Sequence, residues 1–259
     1  MKKALFLAFA LAFAFASQAQ MSTIPVEPVA CPIVGFHVSG LVPGAGPMND
    51  LYKPPYLGFG MDFDYKFKNN LLLFVDGTIV MGNDNLRNRE ARMPHIFTEE
   101  GIIIGNGGSD ALVTCYNRDL LFKGGVCYIL PLSSKNPNAG LMLRASGGFM
   151  TQKTVFMVND EHAPQVEPPY GKLYDHRRAG LVLSESVGYM FMSDHKHLMN
   201  VYALFEVSQF WSHSTRPYII DELMGLQGPD EGRYFDMLYS IKLCWMIPLT
   251  GKPARDSFF

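Results

Sequence analysis

"YLGFGMDFDYKFKNNLLLFVDG", residues 56–77, is the stretch whose reading decides the fold. Its first half places an apolar side chain at every second position, Leu57, Phe59, Met61, Phe63, Tyr65 and Phe67, with Gly58, Gly60, Asp62, Asp64 and Lys66 between them. That alternation is the period of a β-strand. Lys68-Asn69-Asn70 then turns the chain into a second extended run. A soluble sheet would press the apolar face onto a core and leave the charges in water. A membrane barrel does the reverse, with lipid outside and charges within. Strand length and loop pattern along the rest of the chain favour the barrel.

Period-two runs bounded by Gly, Pro, Asn, Asp and Ser predict eight strands. They fall near 32–41, 57–67, 71–81, 119–130, 140–151, 180–192, 199–211 and 234–247. Most exceed the usual soluble strand of about 5–6 residues and suit a tilted bilayer crossing of about 9–11. Compact turns follow the second, fourth and sixth strands, at 68–70, 133–139 and 193–198. Long polar segments follow the others, near 42–56, 82–118, 152–179 and 212–233. Outer-membrane barrels sort their loops in this way, with the short turns in the periplasm; a soluble sandwich has no reason to. The fold class expected is therefore all-β, an eight-stranded antiparallel up-and-down transmembrane β-barrel with long extracellular loops.

The termini fit export. Met1-Lys2-Lys3, the apolar stretch Ala4 to Ala16 and Ser17-Gln18-Ala19 have the parts of a secretory signal peptide, with cleavage expected after Ala19. Thirteen apolar residues are too few for an anchor helix, which needs about 20. Cys31 lies too far past the apolar stretch to be a lipid-attachment site. The expected division is signal peptide 1–19, periplasmic N-terminal segment 20–31, barrel 32–249 and periplasmic tail 250–259. Losing Lys2 and Lys3 takes Lys+Arg from 22 to 20 against 24 Asp+Glu, a mildly acidic balance that argues against nucleic acid as a partner. With no later segment apolar enough for a transmembrane helix, a closed barrel is the remaining way to span a bilayer. Four cysteines are too few to be the scaffold of a chain this long.

Parity assigns the interior. It places Asp62, Asp64 and Lys66 inside from the second strand, and Asp76 and Thr78 from the third. Lys123 follows from the fourth, Arg144, Ser146 and Gly148 from the fifth, Glu206 and Ser208 from the seventh, and Asp236, Ser240 and Lys242 from the eighth. The nine ionic residues among these are the candidate site, an interior charge network with a structural role. In the sixth strand Ser184 and Glu185 face opposite ways, and the reading adopted puts Glu185 inside. Such charges must pair or neutralise, since an unpaired buried charge costs several kcal/mol. An eight-stranded lumen has room only for its own side chains, so a plugged interior is expected rather than a wide channel. Phe59, Phe63, Tyr65, Phe67, Phe122, Tyr128, Phe149, Phe205, Tyr239 and Trp245 go outward, several near strand ends as aromatic girdles require. Cys127 and Cys244 fall inside on strands half a barrel apart and are expected unbridged, because a disulfide needs Cα atoms within about 7 Å.

The segment from Asp119 to Leu132 echoes that from Asp236 to Leu249 at constant offset, sharing D-x-L-[FY]-x-x-x-x-C-[YW]-x-[LI]-P-L. A duplicated four-strand half and two strands solving one packing problem explain it equally well.

"GLVLSESVGYMF" (180–191), "NVYALFEVSQFW" (200–211), "RYFDMLYSIKLCWMIPL" (233–249) and the terminal Phe258-Phe259 resemble a family of small, largely uncharacterised outer-membrane barrels of Bacteroidetes-type bacteria. The similarity is detailed over roughly the last third of the chain and one of pattern elsewhere. The architecture is similar to the OmpA/OmpX type, without a following peptidoglycan-binding domain. The resemblance implies residence in the outer membrane, contact with its lipid, and a partner in the envelope. Because small barrels occur in type IX secretion machinery, an accessory role there is among its implications.

No motif specifies chemistry. His95, His162, His176 and His213 fall in long loops near Asp160, Glu161 and Asp175, and Ser212-His213-Ser214 offers a nucleophile beside a base. No G-x-S-x-G or H-E-x-x-H pattern accompanies them, so no catalytic residue is assigned. Asp194-His195-Lys196-His197 supplies two imidazoles without a third ligand, and Gly107-Gly108 and Gly124-Gly125 have no phosphate loop behind them; no cofactor or metal is assigned. The expected function is non-catalytic, that of a structural or interaction component of the cell envelope. A lipid-modifying hydrolase at the rim and a narrow pore are the alternatives.

Overall fold

The computed structural model describes residues 28–93, 96–134, 136–159, 162–168, 170–192, 200–215 and 232–249. The segments assigned to the signal peptide and tail, His95, Asp160, Glu161, the whole 193–198 turn with His195 and His197, and most of the last long loop lie outside these.

Alternation carries the chain through β1 (Cys31–Pro43), helix α1 (Pro47–Leu51), β2 (Tyr56–Lys66) and β3 (Leu71–Met81), then a short helix α2 (Arg89–Arg92). There follow β4 (Val113–Pro131), β5 (Gly140–Val158), β6 (Arg178–Phe191), β7 (Val201–Ser214) and β8 (Arg233–Pro248). Each strand pairs antiparallel with its neighbours in sequence, and β8 returns to β1, closing the ring. A closed ring leaves no edge strand with unpaired backbone groups, the condition for spanning lipid.

The eight expected strands are all present. β2 has 11 residues, about 36 Å at 3.3 Å per residue and about 28 Å once tilted, which matches the apolar band of such barrels. β4 and β5 are longer than expected, 19 residues each. They run on into the segments 113–118 and 152–158 as a paired ribbon from Val113↔Val158 inward. The sequence there is polar, Asn117-Arg118 and Gln152-Lys153, so it reads as loop until the partner strand is known.

Short turns and both strand termini lie at one rim, where Cys31 pairs with Lys66 and Ile33 with Pro248. At the other rim the described parts of the first three long connections pack on one another. The residues after β1 turn back over the mouth, tied by Gly44 N–H to Met237 O at 2.7 Å and Met237 N–H to Ala45 O at 2.8 Å. α1 then drops Met48, Leu51 and Tyr52 into a cluster with Leu86, Met93, Ile96, Ile103, Ala163 and Val166 from the other long connections. The same cluster takes in Tyr56, Leu121, Met150, Phe210 and Leu238 from the strands. A second apolar cluster closes the short-turn end, built on Ile33, Leu72, Phe74, Ile129, Met142, Tyr202, Leu204 and Met246.

Candidate functional site

Between the two apolar clusters lies a layer of charge. All nine predicted network residues, Asp62, Asp64, Lys66, Asp76, Lys123, Arg144, Glu206, Asp236 and Lys242, are buried, none more than 6% exposed. They form three groups.

The central group draws on all eight strands. Lys123 Nζ meets Glu206 Oε1 at 2.5 Å, and Lys242 Nζ donates to Asp76 Oδ2. The Ser208 and Ser186 hydroxyls donate to Glu206 at 3.2 and 3.3 Å, and Thr78 donates to Asp76 Oδ1 at 2.7 Å. Arg144 lies over the Phe74 ring, its Cζ 3.6 Å from the centroid. Its Nη1 donates to Tyr202 Oη at 2.9 Å, and Tyr202 donates onward to Asp62 Oδ2. Arg144 Nη2 stands 3.8 Å from Asp62 and 3.9 Å from Asp64. His37 faces the same centre, its Nε2 3.5 Å from Asp76 Oδ1 and 3.9 Å from Asp62 Oδ1.

Lys66 belongs to the short-turn rim. Instead of a carboxylate it finds three oxygens, Val29 O at 3.1 Å and the amide oxygens of Asn70 and Asn138 at 2.9 Å each. Three acceptors match the three N–H bonds of an ammonium.

The third group supports the long-loop mouth. Arg178 reaches Asp236 Oδ2 at 3.1 Å and holds Gln152 Oε1 at 2.6 and 3.0 Å. Asp236 Oδ1 accepts the Met48 N–H at 2.6 Å, fixing α1 to the barrel wall. Asn117 donates to Asp119 at 2.8 Å, and Tyr52 Oη lies 2.7 Å from Thr154 Oγ1. Beside them Asp175 accepts the Thr154 N–H at 2.8 Å and is contacted by Arg177 Nε at 3.1 Å. Burial outweighs these bonds and pushes the Asp175 carboxyl above its ordinary range.

Sequence reasoning missed His37, Asp119, Arg178 and Tyr202. Parity held the signal for three of them. His37 shares the face of Ile33 and Ser39, Asp119 that of Lys123, and Tyr202 that of Glu206.

Glu185 is a correction. The register pairs Ser184 with Ser146 on one side and Ser208 on the other, both inward, and the Ser184 and Ser208 hydroxyls are 2.8 Å apart. Laterally paired residues point to the same face, so Glu185 faces outward, paired with Ala145 and Val207 and between Leu183 and Val187.

His162 is exposed beside Glu167, while His213 faces outward on β7, next to inward, buried Ser212. Alternation therefore separates the suggested nucleophile from its base. Cys127 and Cys244 both point inward and are free, as are Cys31 and Cys115.

The outward face carries the expected aromatics, from Phe122 at 59% exposed to Phe67 at 36%. Tyr65, Tyr128 and Trp245 lie toward the short-turn rim, Trp211 and Phe235 toward the other. With a ring that has no edge, an apolar belt outside and buried charge inside, the class defined is an outer-membrane eight-stranded β-barrel. The strands do the crossing; no helix among the described residues is long and apolar enough.

No family model and no curated protein matches the chain. Among solved structures it is similar to the attachment invasion locus protein Ail of Yersinia pestis, at 10% identity over 86% of this chain and 100% of that one, TM-score 0.37. It is similar also to the N-terminal β-barrel domain of Pseudomonas aeruginosa OprF, at 9% identity over 85% and 100%, TM-score 0.36. Neisserial surface protein A gives 8% identity over 83% and 96%, TM-score 0.39. At such scores the class rests on this barrel's own geometry.

Proposed function

We propose that the chain is a non-catalytic structural or interaction component of the outer membrane, a barrel whose interior is plugged and whose rims meet another envelope protein. The observation that carries the reading is the layering of the lumen: buried ion pairs between two apolar clusters, with α1 seated in the mouth. A conducting pore needs a continuous polar path, and the apolar clusters at both ends oppose one. A rim hydrolase needs its serine and histidine on one face, and Ser212 and His213 oppose that. The reading includes export by the 1–19 signal peptide, a barrel over 32–249, a periplasmic tail at 250–259, and the nine ionic residues as its internal scaffold. An accessory role beside a secretion machine, in a family of Bacteroidetes-type barrels, is the finer form of the same proposal.

Two measurements test it. Purified protein in planar bilayers is expected to give no steady conductance; stable ohmic openings would overturn the plug. Cross-linking in intact cells followed by pull-down from detergent-solubilised outer membrane is expected to retain an envelope protein at the rims, and recovery of the barrel alone counts against an interaction role.

A further inference from the structure

The lumen places two carboxylate oxygens and one imidazole nitrogen around a common point. His37 Nε2, an oxygen of Asp62 and an oxygen of Asp76 lie within 4.8 Å of one another, and all three residues are buried. Nε2 is 3.5 Å from Asp76 Oδ1 and 3.9 Å from Asp62 Oδ1. Ligands at zinc-type bond lengths on tetrahedral corners stand about 3.4 Å apart. The two separations from Nε2 are within about half an ångström of that spacing.

Three further observations separate it from a chance gathering of acids. Asp62 Oδ1, on the side facing His37, accepts no hydrogen bond although it is fully buried. A carboxylate oxygen in such a place is costly unless it meets a donor or a cation. The remote oxygen of each carboxylate is already held, Asp62 Oδ2 by Tyr202 and Asp76 Oδ2 by Lys242. Outer donors that fix a carboxylate are how ligands are oriented in metal sites; the near oxygen of Asp62 is left free, and that of Asp76 also accepts the Thr78 hydroxyl at 2.7 Å. Finally, the space is built with glycine. A Cβ at Gly60 would lie 2.5 Å from His37 Cε1 and 2.6 Å from Nε2, and one at Gly35 would lie 3.3 Å from Asp62 Cβ.

Charge agrees in sign. The central layer holds Asp62, Asp64, Asp76 and Glu206 against Lys123, Arg144 and Lys242, four carboxyl groups to three cations, a sum of one negative when all seven are ionised. A divalent ion carrying one hydroxide would bring that sum to zero.

We propose that His37, Asp62 and Asp76 bind a divalent first-row transition ion of the zinc class, with solvent in the fourth position, and that the ion cross-links β1, β2 and β3 within the lumen. One imidazole with two carboxylates suits such an ion better than calcium or magnesium, which prefer all-oxygen sites.

The test uses the untagged full chain, extracted from membranes in detergent without chelator, and separately unfolded and refolded with Zn2+ or Co2+ before exhaustive dialysis. Mass-spectrometric metal analysis is expected to find about one equivalent per chain, with the visible absorption of four- or five-coordinate Co2+ in the cobalt form. His37→Gln and Asp62→Asn are expected to lower occupancy about tenfold or more, while His162→Ala/His213→Ala, whose histidines face away from the lumen, leaves it unchanged. The wild-type measurement stands even if a lumen variant fails to fold. Absence of retained metal from both preparations overturns the proposal, as does occupancy that survives His37→Gln and disappears in the surface variant.

Discussion

The Lys123–Glu206 pair decides between a packed lumen and a wet one. Both groups are nearly inaccessible, their side chains 1% and 8% exposed, with 2.5 Å between Nζ and Oε1. Replacing one partner of a dry pair strands the other charge and costs about 3–5 kcal/mol. The same pair in a water-filled channel would be worth about 0–1 kcal/mol. Glu206 keeps hydroxyl bonds from Ser186 and Ser208, so Lys123→Met should fall toward the lower end of the dry range. Taking about 3 kcal/mol and a urea slope of about 2 kcal/mol per molar, the midpoint drops by roughly 1.5 M. Lys123→Met/Glu206→Met removes both charges together and is expected within about 1–2 kcal/mol of the parent, since an apolar pair of similar volume replaces a buried ion pair at little loss. Trp211 and Trp245, outward on β7 and β8, report insertion and unfolding by fluorescence in lipid vesicles. Gel mobility with and without heating gives a second readout. Single variants that each cost less than 1 kcal/mol, with a double variant no better than either, would refute the dry lumen and with it the plug.

Phe122→Arg tests the orientation of the outer face: lipid contact should make it cost about 2–4 kcal/mol in vesicle unfolding, whereas on a water-facing sheet surface the change would be close to neutral. Glu185→Leu should raise stability in the same assay by up to about 2 kcal/mol, since a carboxylate among Leu183, Val187 and Val207 faces acyl chains; a loss would mean that Glu185 has a protein partner in the membrane. Asp175, at the long-loop mouth, carries a raised folded-state pKa, so the folded protein holds that proton more readily than the unfolded chain. Its contribution is therefore most favourable at low pH and declines as pH rises from the ordinary carboxylate value through the raised one. Hydrogen exchange at Thr154 N–H should quicken over that window, beyond the intrinsic rise, and Asp175→Asn should remove the excess.

Much of the barrel is written in a period of two, and for that reason was readable before any coordinates. Asp62, Asp64 and Lys66 alternate with Phe63 and Tyr65, and once lipid is taken as the outer solvent their burial follows. The same rule locates Lys123, Arg144, Glu206, Asp236 and Lys242 without knowledge of any contact. It fails where a strand alternates polar residues on both faces. In Ser184-Glu185-Ser186 either parity buries something polar, and alternation alone does not choose between them; register with Ser146 and Ser208 turns Ser184 inward and Glu185 outward.

Which charges meet is a different kind of information. Lys123 joins Glu206 from β4 to β7, and Lys242 joins Asp76 from β8 to β3, distances across the lumen that depend on shear and tilt, of which a single sequence carries no record. Nor does it mark Lys66 as the cation that meets amide and backbone oxygens. The cap was hidden for a third reason. Met48, Leu51 and Tyr52 lie in a segment rich in Gly, Pro and Asn, which reads as a solvated loop, and only the barrel mouth gives their apolar surface somewhere to go. Alternation therefore fixes the face of each residue, while ring geometry fixes its partner. His37 needs both: its parity is available in β1, but its meaning depends on Asp62 and Asp76, paired with each other across β2 and β3 and one inward step along from Gly60 and Thr78, the residues in register with His37.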